Sequence, residues 1–337
     1  MIVDLLPTED QQMVSDSVES FLRDALPVDR LRENSGFGAG PERAAWADLA
    51  GLGLFGLGLS AEEGGVGYGP AEETTVARLF GRYLVSPSVI ATMAAVHLAA
   101  QAGDAALVAA LASGEKRAAF ANLRAPASGD ALDVQLIDAE GVDLLLLLEA
   151  ERSSLFPAEA AKDVVEIEAV DQTVSLKRAS LSRRAAVAVA EGAALPQRVS
   201  ILISAYLGGA SEAARDMAVE YAKVREQFGQ PIGAFQAVKH MCAEMALRTE
   251  AAITQAFYAT LAFASGAENA GYEVACARTL AGRAGVENGK ANIQVHGAMG
   301  FTQEANAHHY LKRSFILSAI NSTRRAEQHR IMADVQG

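Results

Sequence analysis

Arg225-Glu226-Gln227-Phe228-Gly229-Gln230-Pro231-Ile232-Gly233-Ala234-Phe235-Gln236 separates two stretches of helical periodicity, and its reading decides how the chain is laid out. Before it, Ile203, Tyr206, Leu207, Ala210, Ala214, Met217, Tyr221 and Val224 recur at three- and four-residue spacing, marking one face of a helix over 199–225. Glu212, Asp216, Glu220 and Lys223 mark the opposite, polar face. Arg225 beside Phe228-Gly229 then reads as a helix end. Further helices are predicted at about 234–265, 269–297 and 305–334. The third and fourth are separated by a second glycine-rich stretch, Gln294-Val295-His296-Gly297-Ala298-Met299-Gly300-Phe301-Thr302.

Working outward from this helical end, the chain changes character twice. Residues 8–26 open with Thr8-Glu9-Asp10, an N-cap followed by first-turn acids that suit the helix dipole. Met13, Val14, Val18, Phe21 and Leu22 continue at helical spacing. Helices are also predicted at roughly 42–52 (ending near Gly51 or Gly53), 71–84, 88–102 and 104–112. Between about 117 and 192 short β-like runs take over: Asp133–Ile137, Val142–Leu148, Val164–Ile167 and Thr173–Leu176. The leucine run 144–148 lies between Asp143 and Glu149 and reads as a buried strand, too short to span a bilayer. The expected fold is mainly α with a small β middle domain, divided as 1–116, 117–195 and 196–337.

The chain has 337 residues, half of them apolar, which is enough for two or three domains with a large core. A net charge of −12 with no offsetting basic block argues against a nucleic-acid surface. Cys242 and Cys276 lie inside helical patterns without metal-ligand spacing and read as buried thiols of a reducing cytosol. His308, His309 and His329 have no closed zinc-site spacing. The start, Met1-Ile2-Val3-Asp4, is acidic where a secretory peptide carries positive charge, so a cytoplasmic location is expected.

The Arg225–Gln236 stretch resembles the helix-ending signature of the acyl-CoA dehydrogenase family, flavoenzymes that desaturate acyl-CoA thioesters. The Gln294–Thr302 stretch is similar to the family's Q-x-x-G-G-x-G-[FY], with Ala298 in place of the second glycine. Trp46–Leu49, Gly53–Gly56 and Glu63–Gly67 also resemble the family's first domain. The resemblance implies a helical N-terminal domain, a β-barrel-like middle domain and a C-terminal four-helix bundle that forms dimers and tetramers. It implies FAD as cofactor. Arg225 would contact the pyrophosphate, Phe228 would pack near the adenosine half, and Gln236 would hydrogen-bond the same end. Gln294, Gly297 and Ala298 would approach FAD from a neighbouring subunit, and Thr323 matches a family threonine.

Two departures stand out. Where the middle domain should read T-E-P-x-x-G-S-D, this chain has Asn122-Leu123-Arg124-Ala125-Pro126-Ala127-Ser128-Gly129-Asp130. The W-[IV]-T-N strand is missing, the only tryptophan being Trp46, so the middle domain is expected to be reduced. The second departure concerns the base that takes the α-proton, ordinarily a carboxylate within Y-E-G-T. Counting from Gln294 places Asn321 there, in Ile320-Asn321-Ser322-Thr323. The alternative family position, early in the preceding long helix, is Val199, flanked by Gln197, Arg198 and Ser200. Glu304 and Glu327 are the remaining candidates, each more simply read as a solvated helix charge.

Four functions compete. The first is an acyl-CoA dehydrogenase subunit without its own base, paired with a full-length partner and acting on an acyl-CoA in fatty-acid or steroid side-chain catabolism. The second is a self-sufficient homomeric dehydrogenase with a relocated base. The third is a flavin monooxygenase of the same fold, and the fourth is a structural subunit without flavin.

Overall fold

The computed structural model describes residues 7–33, 41–125 and 129–336. Seven helices come first: α1 (Glu9–Ala25), α2 (Arg30–Glu33), α3 (Pro41–Ala44), α4 (Trp46–Gly51), α5 (Pro70–Arg82), α6 (Pro87–Gln101) and α7 (Ala105–Ala112). Seven strands follow: β1 (Ala118–Leu123), β2 (Ala131–Ile137), β3 (Leu144–Glu149), β4 (Arg152–Pro157), β5 (Lys162–Ile167), β6 (Leu176–Ser182) and β7 (Ala188–Glu191). Then come α8 (Ala194–Val224), a hairpin of β8 (Glu226–Gln227) and β9 (Gln230–Pro231), α9 (Gln236–Ala264), α10 (Ala270–His296), α11 (Ala307–Ser318) and α12 (Arg324–Gln336). The chain divides into two compact units. One comprises Met1–Glu33, Thr74–Leu84 and Ser200–Gly337; the other comprises Asn34–Glu73 and Val85–Val199.

The second of these units is built on the sheet, ordered β5-β6-β2-β1-β3-β4-β7. Its pairings are antiparallel except β1 with β3. The leucine run is the inner strand β3, buried from Leu144 through Leu148, so it shows no inside–outside alternation. Ala119, Ala121, Leu132, Val134, Leu136, Leu145, Leu147, Phe156, Ala179 and Leu181 form one core cluster. β6 begins at Leu176, where the sequence reading ends a strand. The Asp171 carboxylate accepts from Thr173 N (3.0 Å) and fixes a turn there instead. β4 and β7 are additional to the predicted runs. Edge strand β5 is exposed throughout, with a register shift between Lys162 and Val165 that blunts it against further pairing. α6 is buried from Pro87 through Ala99, as expected of a helix apolar on all sides. Its Thr92 hydroxyl accepts from Ala118 N at 3.0 Å and ties it to β1.

The other unit is helical. The Thr8 capping box is present, with Gln11 completing it. Where residues 74–82 of α5 cross α8, glycines allow backbone contact: a Cβ on Gly81 would strike the Tyr206 carbonyl, and one on Gly209 the Arg78 carbonyl. Asn288 of α10 joins three helices, donating to Ser211 Oγ (2.6 Å), Thr249 Oγ1 (2.9 Å) and the Met245 carbonyl (2.9 Å). Its own oxygen accepts from Arg248 Nε at 2.8 Å. Glu212 does not belong to a solvated face. It is buried and ion-paired to Arg78 and Arg82, because α5 covers that side of α8. The single helix predicted over 305–334 is two, α11 and α12, interrupted at 319–323 by Asn321 with φ +65°. The helix predicted over 42–52 is likewise broken, at Ala45.

Candidate functional site

α8 ends at Val224, and the chain turns back through a two-residue hairpin whose central residues, Phe228 (φ +52°) and Gly229 (φ +78°), are both left-handed. Arg225 closes the base of the hairpin, its carbonyl accepting from Ile232 N at 2.7 Å. Its side chain is exposed, and among the described residues the guanidinium makes no hydrogen bond or ion pair. Phe228 is 93% exposed, touching Phe235 edge-on at 6.1 Å. A left-handed, solvent-facing phenylalanine is an unfavourable placement for an isolated chain. Gln236 is the exposed first residue of α9.

α10 ends at His296, and Gly297 takes φ +61°, ψ −138°, a backbone geometry that side chains disfavour. Gly297 N donates to the carbonyl of Gln294, whose side chain is exposed, as is Ala298. The two sequence motifs meet through their helices. The Tyr221 ring, one turn before Arg225, stacks on His296 at 4.2 Å. The arginine hairpin and the glycine turn therefore leave the same end of the bundle. His296 is buried, which pulls its pKa down; its Nδ1 lies 2.8 Å from the Asn292 carbonyl.

The third group surrounds the break between α11 and α12. Asn321 Nδ2 donates to Ser200 Oγ at 2.8 Å, so the Asn321 position lies beside the residue that follows Val199. Val199 itself is fully buried. Thr323 starts α12, its hydroxyl accepting from Ala326 N at 3.3 Å. Glu304 is exposed as expected. Glu327 is not: it is buried and paired to Arg330 at 3.1 Å, on the side of α12 that meets Arg278 of α10 and Phe315 of α11 around one cavity. Cys242 and Cys276 are half-buried free thiols. Among the described residues no cluster of metal-ligating side chains occurs, and His308 and His309 pack ring to ring at 4.1 Å. No helix of the described residues is long and apolar enough to cross a membrane. Met1–Leu6 and Pro126–Ser128, on which two sequence arguments rest, lie outside the described residues.

Sequence reasoning missed a charged cluster in the sheet-bearing unit. Glu73, 1% exposed in its side chain, contacts His97 Nε2 at 2.8 Å and forms an ion pair with Arg198 Nη1. Burial alone would raise the Glu73 pKa; the hydrogen bond from His97 and the charge of Arg198 overcome this and hold it below the usual range. A Cβ on Gly58 would run into that carboxylate. The sequence carried no signal for it, because Glu73 stands in Glu72-Glu73-Thr74-Thr75, a polar first turn of α5 in which an acid reads as solvated.

The helical and sheet-bearing units and the two motifs fit the family that the sequence resembles, and comparison with known proteins agrees. Residues 8–115 match the family model of the acyl-CoA dehydrogenase N-terminal domain, and residues 187–321 that of the C-terminal domain. Acyl-CoA dehydrogenase IpdE2 of Mycobacterium tuberculosis is 30% identical over 314 residues, covering 92% of each chain. This chain belongs to the acyl-CoA dehydrogenase family. Acyl-CoA dehydrogenase FadE34 of the same organism is 36% identical over 289 residues, but the match covers 81% of this chain and only 39% of that protein. Among solved structures, the ChsE4–ChsE5 complex of Mycobacterium tuberculosis superposes with a TM-score of 0.86 at 20% identity, covering 99% of both chains. The glutaryl-CoA complex of glutaryl-CoA dehydrogenase gives 0.80 at 19% identity, covering 99% of this chain and 97% of that one.

Proposed function

We propose that this chain is a flavoprotein subunit for α,β-desaturation of an acyl-CoA thioester, and that it works with a full-length acyl-CoA dehydrogenase that supplies the catalytic carboxylate. One observation supports this reading: Asn321, at one of the two positions where the family resemblance expects a base, donates to Ser200, the neighbour of Val199 at the other, and neither Asn321 nor Val199 can take a proton from carbon. Glu304 is solvated and Glu327 is engaged with Arg330, which leaves neither as a natural substitute. The solved neighbour described as a ChsE4–ChsE5 complex is consistent with a two-chain assembly.

The exposed end of the bundle suits FAD. Arg225 presents an uncommitted guanidinium for the pyrophosphate, Phe228 an exposed ring for the adenosine half, and Gln236 a helix-end amide. Gln294, Gly297 and Ala298 would face FAD held by a neighbouring subunit, and Thr323 would stand near the cofactor beside the Asn321 turn. When bound, FAD accepts the hydride that leaves the β-carbon. The α-proton needs a separate acceptor, which Asn321 does not provide and the partner's carboxylate would.

The isolated chain should therefore show little acyl-CoA oxidation in an electron-acceptor assay, because a missing base costs about 10²–10⁴ in rate. Co-expression with a full-length dehydrogenase should restore turnover, and replacing the partner's glutamate should abolish it. Asn321→Glu in the isolated chain should not rescue activity. Arg225→Ala should weaken FAD retention of the assembly by roughly tenfold, the scale of one charge-assisted hydrogen bond. Vigorous acyl-CoA oxidation by the pure chain would defeat the proposal and send the search to Glu304 and Glu327.

A further inference from the structure

A cavity of about 210 Å³ lies among α10, α11 and α12, away from the Arg225 hairpin in sequence and lined in part by Arg278, Arg283, Phe315, Ser318, Arg324 and Glu327. Arg278 is 4% exposed. Its Nη2 spans the break before α12, donating to the carbonyls of Ile320 (2.9 Å), Ser318 (3.4 Å) and Ser322 (3.4 Å). Its Nε and Nη1 are also buried but have no hydrogen-bond partner among the described residues, and neither does Ser318 Oγ. Three idle donors at one cavity are unusual, because buried polar groups are nearly always satisfied. Burial pulls the Arg278 pKa down to about 10, with Glu327 opposing that shift.

The local charge is positive. Arg283 and Arg324 are exposed and make no ion pair among the described residues. The two acids at the cavity are already engaged, Glu327 with Arg330 (3.1 Å) and Glu287 with Lys290 (3.0 Å). Phe315 adds an apolar wall. We propose that this cavity binds a small oxyanion, a carboxylate or phosphate group of a few heavy atoms. Nε and Nη1 of Arg278 and the Ser318 hydroxyl donate to it, and Arg283 and Arg324 add charge at the mouth. The same guanidinium holds the 318–322 carbonyls, so an occupant would brace the turn that carries Asn321. This inference stands whether or not the flavin reading does.

The test is calorimetric titration of the full chain, in whatever assembly it forms, with inorganic phosphate and separately with butyrate, against chloride at matched ionic strength. One saturable site per chain is expected for at least one of the two, and the preferred probe identifies the anion class. Arg283→Ala/Arg324→Ala removes only exposed cations and should weaken that binding by roughly tenfold or more while leaving the circular dichroism unchanged. Arg278→Lys, which keeps the charge but loses the separate donors, should weaken it further. No saturable binding of either probe beyond chloride would overturn the proposal. Wild-type affinity in both variants would overturn it equally.

Discussion

Glu73 keeps its charge where almost no water reaches it, because His97 and Arg198 share the carboxylate. Glu212, buried between Arg78 and Arg82, repeats the device in the helical unit; burial pushes its pKa up, but the Arg78 hydrogen bond and the two guanidinium charges bring it below the usual range. Each carboxyl binds its proton more readily in the unfolded chain, whose carboxylates titrate near 4.5. The stability they add is therefore present above that value and lost as pH falls through their lower folded values. Thermal denaturation should show the melting temperature dropping below about pH 4.5, less steeply in Glu73→Gln, which has no such proton to take up. At neutral pH, Glu73→Ala should cost about 3–5 kcal/mol by urea denaturation, since it leaves the Arg198 guanidinium without its counter-charge and His97 without its hydrogen-bond partner. None of this was legible in the sequence. The three residues lie 24 and 125 positions from one another's partner, and only the fold joins them.

At the scale of elements, agreement between sequence and structure follows the strength of the periodic signal. α8, α9 and α10 are long amphipathic or small-residue helices, and each begins and ends within a few residues of its predicted limits. The strands were read less well. β4, Arg152–Pro157, is half polar in sequence, yet Ser153 and Ser154 are buried between β3 and β7. Period-two patterning cannot mark a strand that is covered on both faces. The break between α11 and α12 was also missed, because Ile320-Asn321-Ser322-Thr323 holds neither glycine nor proline to announce it. The crossing of α5 with α8 gives a direct test of element packing. Gly209→Ala would drive a methyl into the Arg78 carbonyl. It should destabilise the protein by about 3 kcal/mol in denaturant titration, whereas Gly103→Ala, with open space around its Cβ but φ +73°, should cost about 1–2 kcal/mol.

For the whole molecule, the order of helices, then a sheet, then helices was legible from composition and periodicity, and two short motifs were sufficient to point to the family. The candidate site was legible only in part. Arg225, Phe228 and Gln236 were candidates only through the resemblance to the family, and the Tyr221–His296 stack that places the glycine turn at the same end of the bundle needed three dimensions. Cohesion is also unevenly distributed. Of residues 324–334 in α12, Glu327 alone is buried and Ile331 is half-buried; the rest face solvent. A helix with so little apolar burial has a small free energy of local opening, far below that of α6 or the inner strands. Its amides should exchange with deuterium ahead of those of α8 to α11. Trypsin, cutting after Arg324 or Arg325, should detach it from a body that still melts cooperatively. The C-terminal helix would then be a latch, coming loose while the remainder of the protein stays folded.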